Sequence, residues 1–162
     1  TDSLYSDATD FFVSSEIVID DGKIFFSSGF NTFSLNTING ETIWKQEVSS
    51  IATPIVSGKN IFIVTDNGYF VILEKDTGKI ISSSNILKIL KRKKQKTKVT
   101  GFIMGSDKIY STTLNGFLIA TPATSGKPEY FRKIGGSNIS PLVINNGRLY
   151  ILTDESKILV LN

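Results

Sequence analysis

Two groups of residues in this 162-residue sequence have the side-chain types that chemistry requires. The first is a set of aspartates, Asp20, Asp21, Asp66, Asp76, Asp107 and Asp154. The second is a run of cations in "KILKRKKQKTK": Lys88, Lys91, Arg92, Lys93, Lys94, Lys96 and Lys98. Carboxylates could act as an acid–base pair or hold a divalent cation. Each aspartate, however, falls in a stretch that reads as a turn, where its side chain bonds its own backbone. None forms a spaced pair suited to acid–base work. The tetrapeptide Asp76-Thr77-Gly78-Lys79 lacks the glycine-rich lead and following helix of a phosphate loop. The chain contains no His and no Cys, which removes Ser-His-Asp and Cys-His nucleophilic arrangements, His- or thiolate-ligated zinc and disulfides. The expectation is therefore a non-enzyme with no catalytic, cofactor-binding or metal-binding residue and no cofactor.

The cations are concentrated rather than spread. Net charge is +3, but with those seven residues set aside, 11 basic residues face 15 acidic ones, a balance of −4. A mildly acidic body thus carries one cationic segment. It reads either as a solvated loop whose lysines deter edge association or as a contact site for an acidic protein surface or anionic lipid headgroups. Nucleic acid is not the expected partner, because no aromatic side chains interleave with the charges to stack on bases.

The elements that position these residues repeat. "KIFFSSGFNTFSLNTINGETIW" from Lys23, "IFIVTDNGYFVILEKDTGKII" from Ile61, "KIYSTTLNGFLIATPATSGKPEYF" from Lys108 and "RLYILTDESKILVLN" from Arg148 share one plan. Registering Ile24, Ile61, Ile109 and Leu149 gives spacings of 37, 48 and 40, and an aromatic follows each: Phe25, Phe62, Tyr110 and Tyr150. The long middle spacing contains the cationic segment, which is therefore an insertion into a unit of about 40 residues. Each unit begins with a short apolar lead-in strand, expected to be buried on both faces. Two alternating strands follow, joined near Gly29, Asn67-Gly68, Asn115-Gly116 and Asp154-Glu155. Asn-Gly predicts a type I′ turn with positive φ at both central residues. A loop ending in Gly40, Gly78 or Gly126 then leads to an outer strand. Four antiparallel strands per unit of this length is the footprint of a propeller blade. "NILKILK", Asn85 to Lys91, could form a turn or two of helix, marginal in isolation.

"LNTINGETIW", "LEKDTGKII" and "ATPATSGKPEYF" resemble the pyrroloquinoline-quinone-type propeller repeat, with its Leu-Asp-x-x-Thr-Gly-x-x-x-Trp signature. The likeness runs from about Glu16 onward. Only Trp44 keeps the signature Trp, with Ser82 and Phe131 in the corresponding region of later units. The resemblance implies that Trp44 packs against a neighbouring blade, with Gly40, Gly78 and Gly126 allowing the tight turn.

The expected fold is all-β: a propeller of four-stranded antiparallel blades with four repeats, half of an eight-bladed ring. A closed four-bladed ring is the alternative. Residues 1–15 are assigned to an outer strand and lead-in, 16–50 to blade 1, 51–86 to blade 2, 87–98 to the basic inter-blade insertion, 99–136 to blade 3 and 137–162 to an incomplete blade 4. The last unit ends after its third strand, as in the BamB-like outer-membrane assembly lipoproteins built from this repeat. That resemblance implies a periplasmic, outer-membrane-associated interaction scaffold whose partner is the barrel-forming subunit of the assembly machinery. A homodimer, or an N-terminal half in a longer chain, would complete the ring. Two other readings stand beside it: a sensor or ligand-binding propeller domain of a larger protein, and a fragment of a quinoprotein dehydrogenase.

Overall fold

The computed structural model describes residues 14–50, 52–94, 97–136 and 141–161. Strands account for almost all of its regular structure. Blade 1 comprises β1 (Val18–Asp20), β2 (Lys23–Ser28), β3 (Asn31–Asn36) and β4 (Thr42–Gln46). Blade 2 comprises β5 (Ile55–Ser57), β6 (Asn60–Val64), β7 (Tyr69–Glu74) and β8 (Ile80–Asn85). Blade 3 comprises β9 (Val99–Gly105), β10 (Lys108–Thr113), β11 (Phe117–Pro122) and β12 (Tyr130–Lys133). Blade 4 has β13 (Val143–Asn145), β14 (Arg148–Leu152) and β15 (Ile158–Leu161). Every sheet is antiparallel and ordered as in sequence, so the chain is a run of four meanders. The residues expected to form an outer strand ahead of blade 1 fall, up to position 13, outside the described residues. Ser14 makes an isolated bridge to Ser28 at the end of β2.

The period-2 pattern assigns each face of a blade to one neighbour. The registered aliphatic faces the preceding blade and the aromatic after it faces the following one. Phe25 packs in one cluster with Ile61, Ile63, Val71 and Leu73 of blade 2. Phe62, Val64, Phe70 and Ile72 pack with Ile109, Phe117 and Ile119 of blade 3. Tyr110 and Leu118 pack with Leu149 and Ile151 of blade 4. Each core is thus shared between blades rather than owned by one.

The lead-in strands β1, β5 and β13 are half-exposed rather than buried on both faces, because lead-in strands form the inner edge of each blade, with β1 against β5 and β9 against β13. Strand β9 differs in burying Val99 and Phe102 in the core of blades 2 and 3. The arc is open. Blade 1 exposes Ile17 and Ile19, and blade 4 exposes Val143, Ile158 and Val160.

The turns differ from the expected chemistry. At Asn67-Gly68 and Asn115-Gly116 only the glycine has positive φ (78° and 68°). The amides of Gly68 and Gly116 donate to the carbonyls of Thr65 and Thr113, giving a four-residue turn that ends in a left-handed glycine, not type I′. The hydroxyls of Thr65 and Thr113 also accept the amides of Tyr69 and Phe117, which favours this longer loop. In blade 4 Ser156 takes the left-handed position, at φ 57°, and its amide donates to Thr153. Paired positive φ occurs at the lead-in turns instead, at Asp21-Gly22, Ser106-Asp107 and Asn146-Gly147.

Candidate functional site

Two sites follow from this architecture: the contacts that lock blades together, and the rim that carries the hairpin turns and the insertion.

Trp44 lies on β4 and projects onto blade 2. Its indole nitrogen donates to the Lys75 carbonyl at 2.9 Å, and its ring lies 6.0 Å from that of Phe25. Gly78 sits directly beneath the indole, where an added Cβ would lie 2.6 Å from two ring carbons. The turn from Lys75 to Gly78 therefore forms a seat for the ring, and glycine is the residue that fits it. Three ion pairs among the described residues cross the same boundary: Lys23 to Asp76 at 2.7 Å, Lys75 to Asp20 at 2.8 Å and, more loosely, Lys75 to Asp21 at 3.7 Å. The hydrogen bond and charge of Lys23 hold the Asp76 carboxyl below its usual range. The bond to Asp20, with the charges of Asp20, Asp21 and Asp76, raises Lys75 against the opposing effect of burial.

The later junctions use the position differently. Cross-strand register places Trp44 opposite Ser34, Ser82 opposite Ile72 and Tyr130 opposite Ala120. Tyr130, not Phe131, is thus the counterpart of Trp44; Phe131 points to the other face and meets Phe117 edge-on at 6.1 Å. At the second junction Gly126 approaches Phe70, where a Cβ would stand 3.3 Å from the ring, and its carbonyl accepts from the Ser84 hydroxyl. At the third, Tyr130 stands half-exposed over a cleft of about 120 Å³ that Tyr110, Leu118, Arg132 and Ile144 also line. Gly40 has positive φ (71°) but open space within 4 Å, since no described blade precedes it.

The insertion is anchored, not merely solvated. Ile86–Lys94 forms two short 3₁₀ stretches broken at Lys91 (φ 49°). Ile86, Leu87 and Leu90 are buried in the core shared by blades 2 and 3. Leu87 covers Gly68, where a Cβ would clash at 2.3 Å. The Ile86 amide donates to the Gly68 carbonyl and the Val99 amide to the Asp66 carbonyl, so both ends of the segment are tied to one hairpin turn. Lys98 pairs with Asp66 at 2.9 Å. Lys88 and Lys91 are exposed. Lys96 lies outside the described residues, and only the backbone of Arg92, Lys93 and Lys94 is described.

Around this segment the rim carries exposed apolar side chains that the sequence reading did not single out. Phe30 is 88% exposed in the β2–β3 turn, and Tyr69 and Leu114 are about half-exposed at the next two. Phe30 and Tyr69 line one groove with Lys45, Asp66 and Asn67. Leu114 is tied to the insertion by its amide, which donates to the Lys98 carbonyl. The available signal was an apolar residue at a turn tip, where polar residues prevail.

Among the described residues, no three carboxylates converge as a metal-binding group. No described helix is long and apolar enough to cross a membrane.

The family model for outer membrane protein assembly factor BamB matches residues 9–84. The crystal structure of BamB from Moraxella catarrhalis superposes with a TM-score of 0.75 at 15% identity, over 90% of this chain and 42% of that one. The chain is thus similar to BamB, in sequence over residues 9–84 and in fold over most of its length. The computationally designed protein Ika4 superposes with a TM-score of 0.71 at 10% identity, over 91% of each chain. Quinohemoprotein alcohol dehydrogenase from Comamonas testosteroni superposes with a TM-score of 0.61 at 16% identity, over 73% of this chain and 20% of that one. At these identities the structural likenesses establish the propeller fold alone. The chain spans less than half the length of the Moraxella protein. No curated protein matches it in sequence.

Proposed function

We propose that this chain is a non-catalytic propeller scaffold that binds a protein partner through its hairpin rim. The observation that carries the reading is the anchored insertion. Burial of Leu87 and Leu90 fixes the segment on the rim, so the exposed Lys88 and Lys91 share that rim with exposed apolar tips at Phe30, Tyr69 and Leu114. Large apolar side chains bordered by charge are the composition of a binding hot spot with a polar rim, and loops on a rigid scaffold are where binding usually resides. The partner that fits is an acidic protein surface with apolar pockets. The likeness to BamB makes the barrel-forming subunit of the outer-membrane assembly machinery the first candidate, with the chain acting in the periplasm at that membrane.

The test is binding of the purified chain to the soluble periplasmic part of that subunit, with anionic vesicles as a parallel arm. The expected result is saturable protein binding that Phe30→Ala weakens by about tenfold or more, that Lys88→Glu with Lys91→Glu also weakens, and that salt reduces. Absence of protein binding, or binding to vesicles alone, would overturn the reading. As a non-catalytic protein, the chain is expected to keep an unchanged Tm when pyrroloquinoline quinone and calcium are added together.

A further inference from the structure

The two ends of the arc are complementary by the same residue code that makes its internal junctions. At each described junction, the aromatic after the registered aliphatic packs with the registered aliphatic of the next blade: Phe25 with Ile61, Phe62 with Ile109 and Tyr110 with Leu149. One half of this pair is left over at each end. Ile24 faces away from blade 2, on the face it shares with Ile19 and Leu35, its cross-strand partners. Phe26 and Phe33 stack on that face at 5.2 Å, with the Lys45 ammonium 5.8 Å from the Phe33 ring centre. Tyr150 faces away from blade 3, opposite Val143 and Val160. Ile19 is 64% exposed and Ile158 is 70% exposed, and among the described residues neither end face covers the other in a single chain.

We propose that a second copy of this chain covers both faces. Blade 4 of each copy packs on blade 1 of the other, Tyr150 against Ile24, and the two arcs close one eight-blade ring about a two-fold axis. Three observations favour a second copy. The faces repeat the pairing of the internal junctions, so the same residues that stack blade on blade within the chain recur between copies. The arc follows the curvature of the Moraxella propeller over 42% of that chain, so two such arcs account for most of a ring. A ring of two copies has two junctions of roughly several hundred Å² per face, which together reach roughly the 1,200–2,000 Å² of a stable interface. A two-fold ring also leaves no face free, whereas an open stack of such arcs exposes an apolar face at each end. This inference does not depend on what the rim binds.

Sedimentation equilibrium of the purified chain at tens of micromolar tests it. The expected result is a single species of twice the chain mass. Ile19→Lys and Val143→Glu each place an unpaired charge in a junction and are expected to weaken self-association by at least about tenfold. Both positions are open to solvent in a single copy, so the far-ultraviolet spectrum and Trp44 fluorescence should be retained. The double variant places opposite charges on the facing inner strands and is expected to recover dimer. A single-copy mass for the parent chain, an open-ended ladder of masses, or dimerisation indifferent to both substitutions would overturn the proposal.

Discussion

The Trp44 indole donates to the Lys75 carbonyl across the boundary between blades 1 and 2, and Gly78 forms the floor on which the ring rests. A blade cannot bury both faces alone, so the junction decides whether the repeat folds. Trp44 is 8% exposed. Its replacement by Ala is expected to cost about 3–5 kcal/mol, as for other large buried aromatics. Trp44→Phe keeps most of the packing and strands the Lys75 carbonyl, at about 1–2 kcal/mol. Urea denaturation of the two variants separates the terms: a Trp44→Phe variant as stable as the parent would show that the hydrogen bond contributes nothing, and equal losses in the two variants would show that the ring packing contributes nothing.

The three repeat glycines share a left-handed conformation but differ in what lies above them. All three amides close the same turn, donating to the carbonyls of Asn36, Glu74 and Pro122. Alanine at Gly40 meets open space, so only the backbone conformation is penalised, by about 1–2 kcal/mol. At Gly126 a new methyl group crowds Phe70, adding to that figure; at Gly78 it drives into the Trp44 ring, raising the total to about 3–4 kcal/mol. The expected order of destabilisation is Gly78→Ala, then Gly126→Ala, then Gly40→Ala. Thermal melts of the three variants would refute the seat if Gly40→Ala proved the worst.

Much of this arrangement was legible in the sequence because it depends on local rules. Alternation gave each strand its two faces, and the registered aliphatic-aromatic step at Ile24-Phe25, Ile61-Phe62, Ile109-Tyr110 and Leu149-Tyr150 gave the blade period. Turn type was less legible. Asn-Gly favours a two-residue turn, but the Thr65 and Thr113 hydroxyls capture the amides four residues on and select a longer loop. The outer-strand aromatic of blade 3 was displaced by one residue in the sequence reading, since only cross-strand pairing places Tyr130 rather than Phe131 opposite Ala120. The insertion was read from its charges, yet its apolar residues fix its place: Ile86, Leu87 and Leu90 find a core made by two blades, a tertiary fact that no local pattern contains.

The ionic contacts at the first junction predict a dependence on pH. The Asp76 carboxyl is held low by its hydrogen bond from Lys23 and the charge of that residue. A carboxyl lowered on folding contributes stability above its unfolded value, near 3.9, and that contribution disappears as pH falls through the folded value. Lys75 is raised, chiefly by the hydrogen bond it donates to Asp20, so its contribution holds at neutral pH and is lost as pH rises through the raised value in alkali. Exchange of the Trp44 indole proton, scaled for intrinsic rate, should therefore be slowest between these limits and accelerate below about pH 4. Asp76→Asn should remove the acid limb at this junction. A limb unchanged in that variant would assign it to other carboxylates.

Buried hydroxyls offer a prediction of opposite sign. Thr121 and Ser111 are fully buried in blade 3, and neither Thr121 Oγ1 nor Ser111 Oγ has a hydrogen-bond partner. A buried polar atom left unpaired opposes folding by about 1–3 kcal/mol. Thr121→Val preserves shape and branching while replacing the hydroxyl with a methyl group, so it is expected to leave stability unchanged or raise it by about 1 kcal/mol. Thr32 supplies the contrast. It is equally buried, but its hydroxyl donates to the Val48 carbonyl at 2.6 Å and lies 2.8 Å from the Ser27 hydroxyl. Thr32→Val strands both partners and should cost about 1–3 kcal/mol. Guanidinium titrations of the pair decide the matter: if both valines destabilise alike, Thr121 is satisfied in solution and the argument from its unpaired oxygen fails.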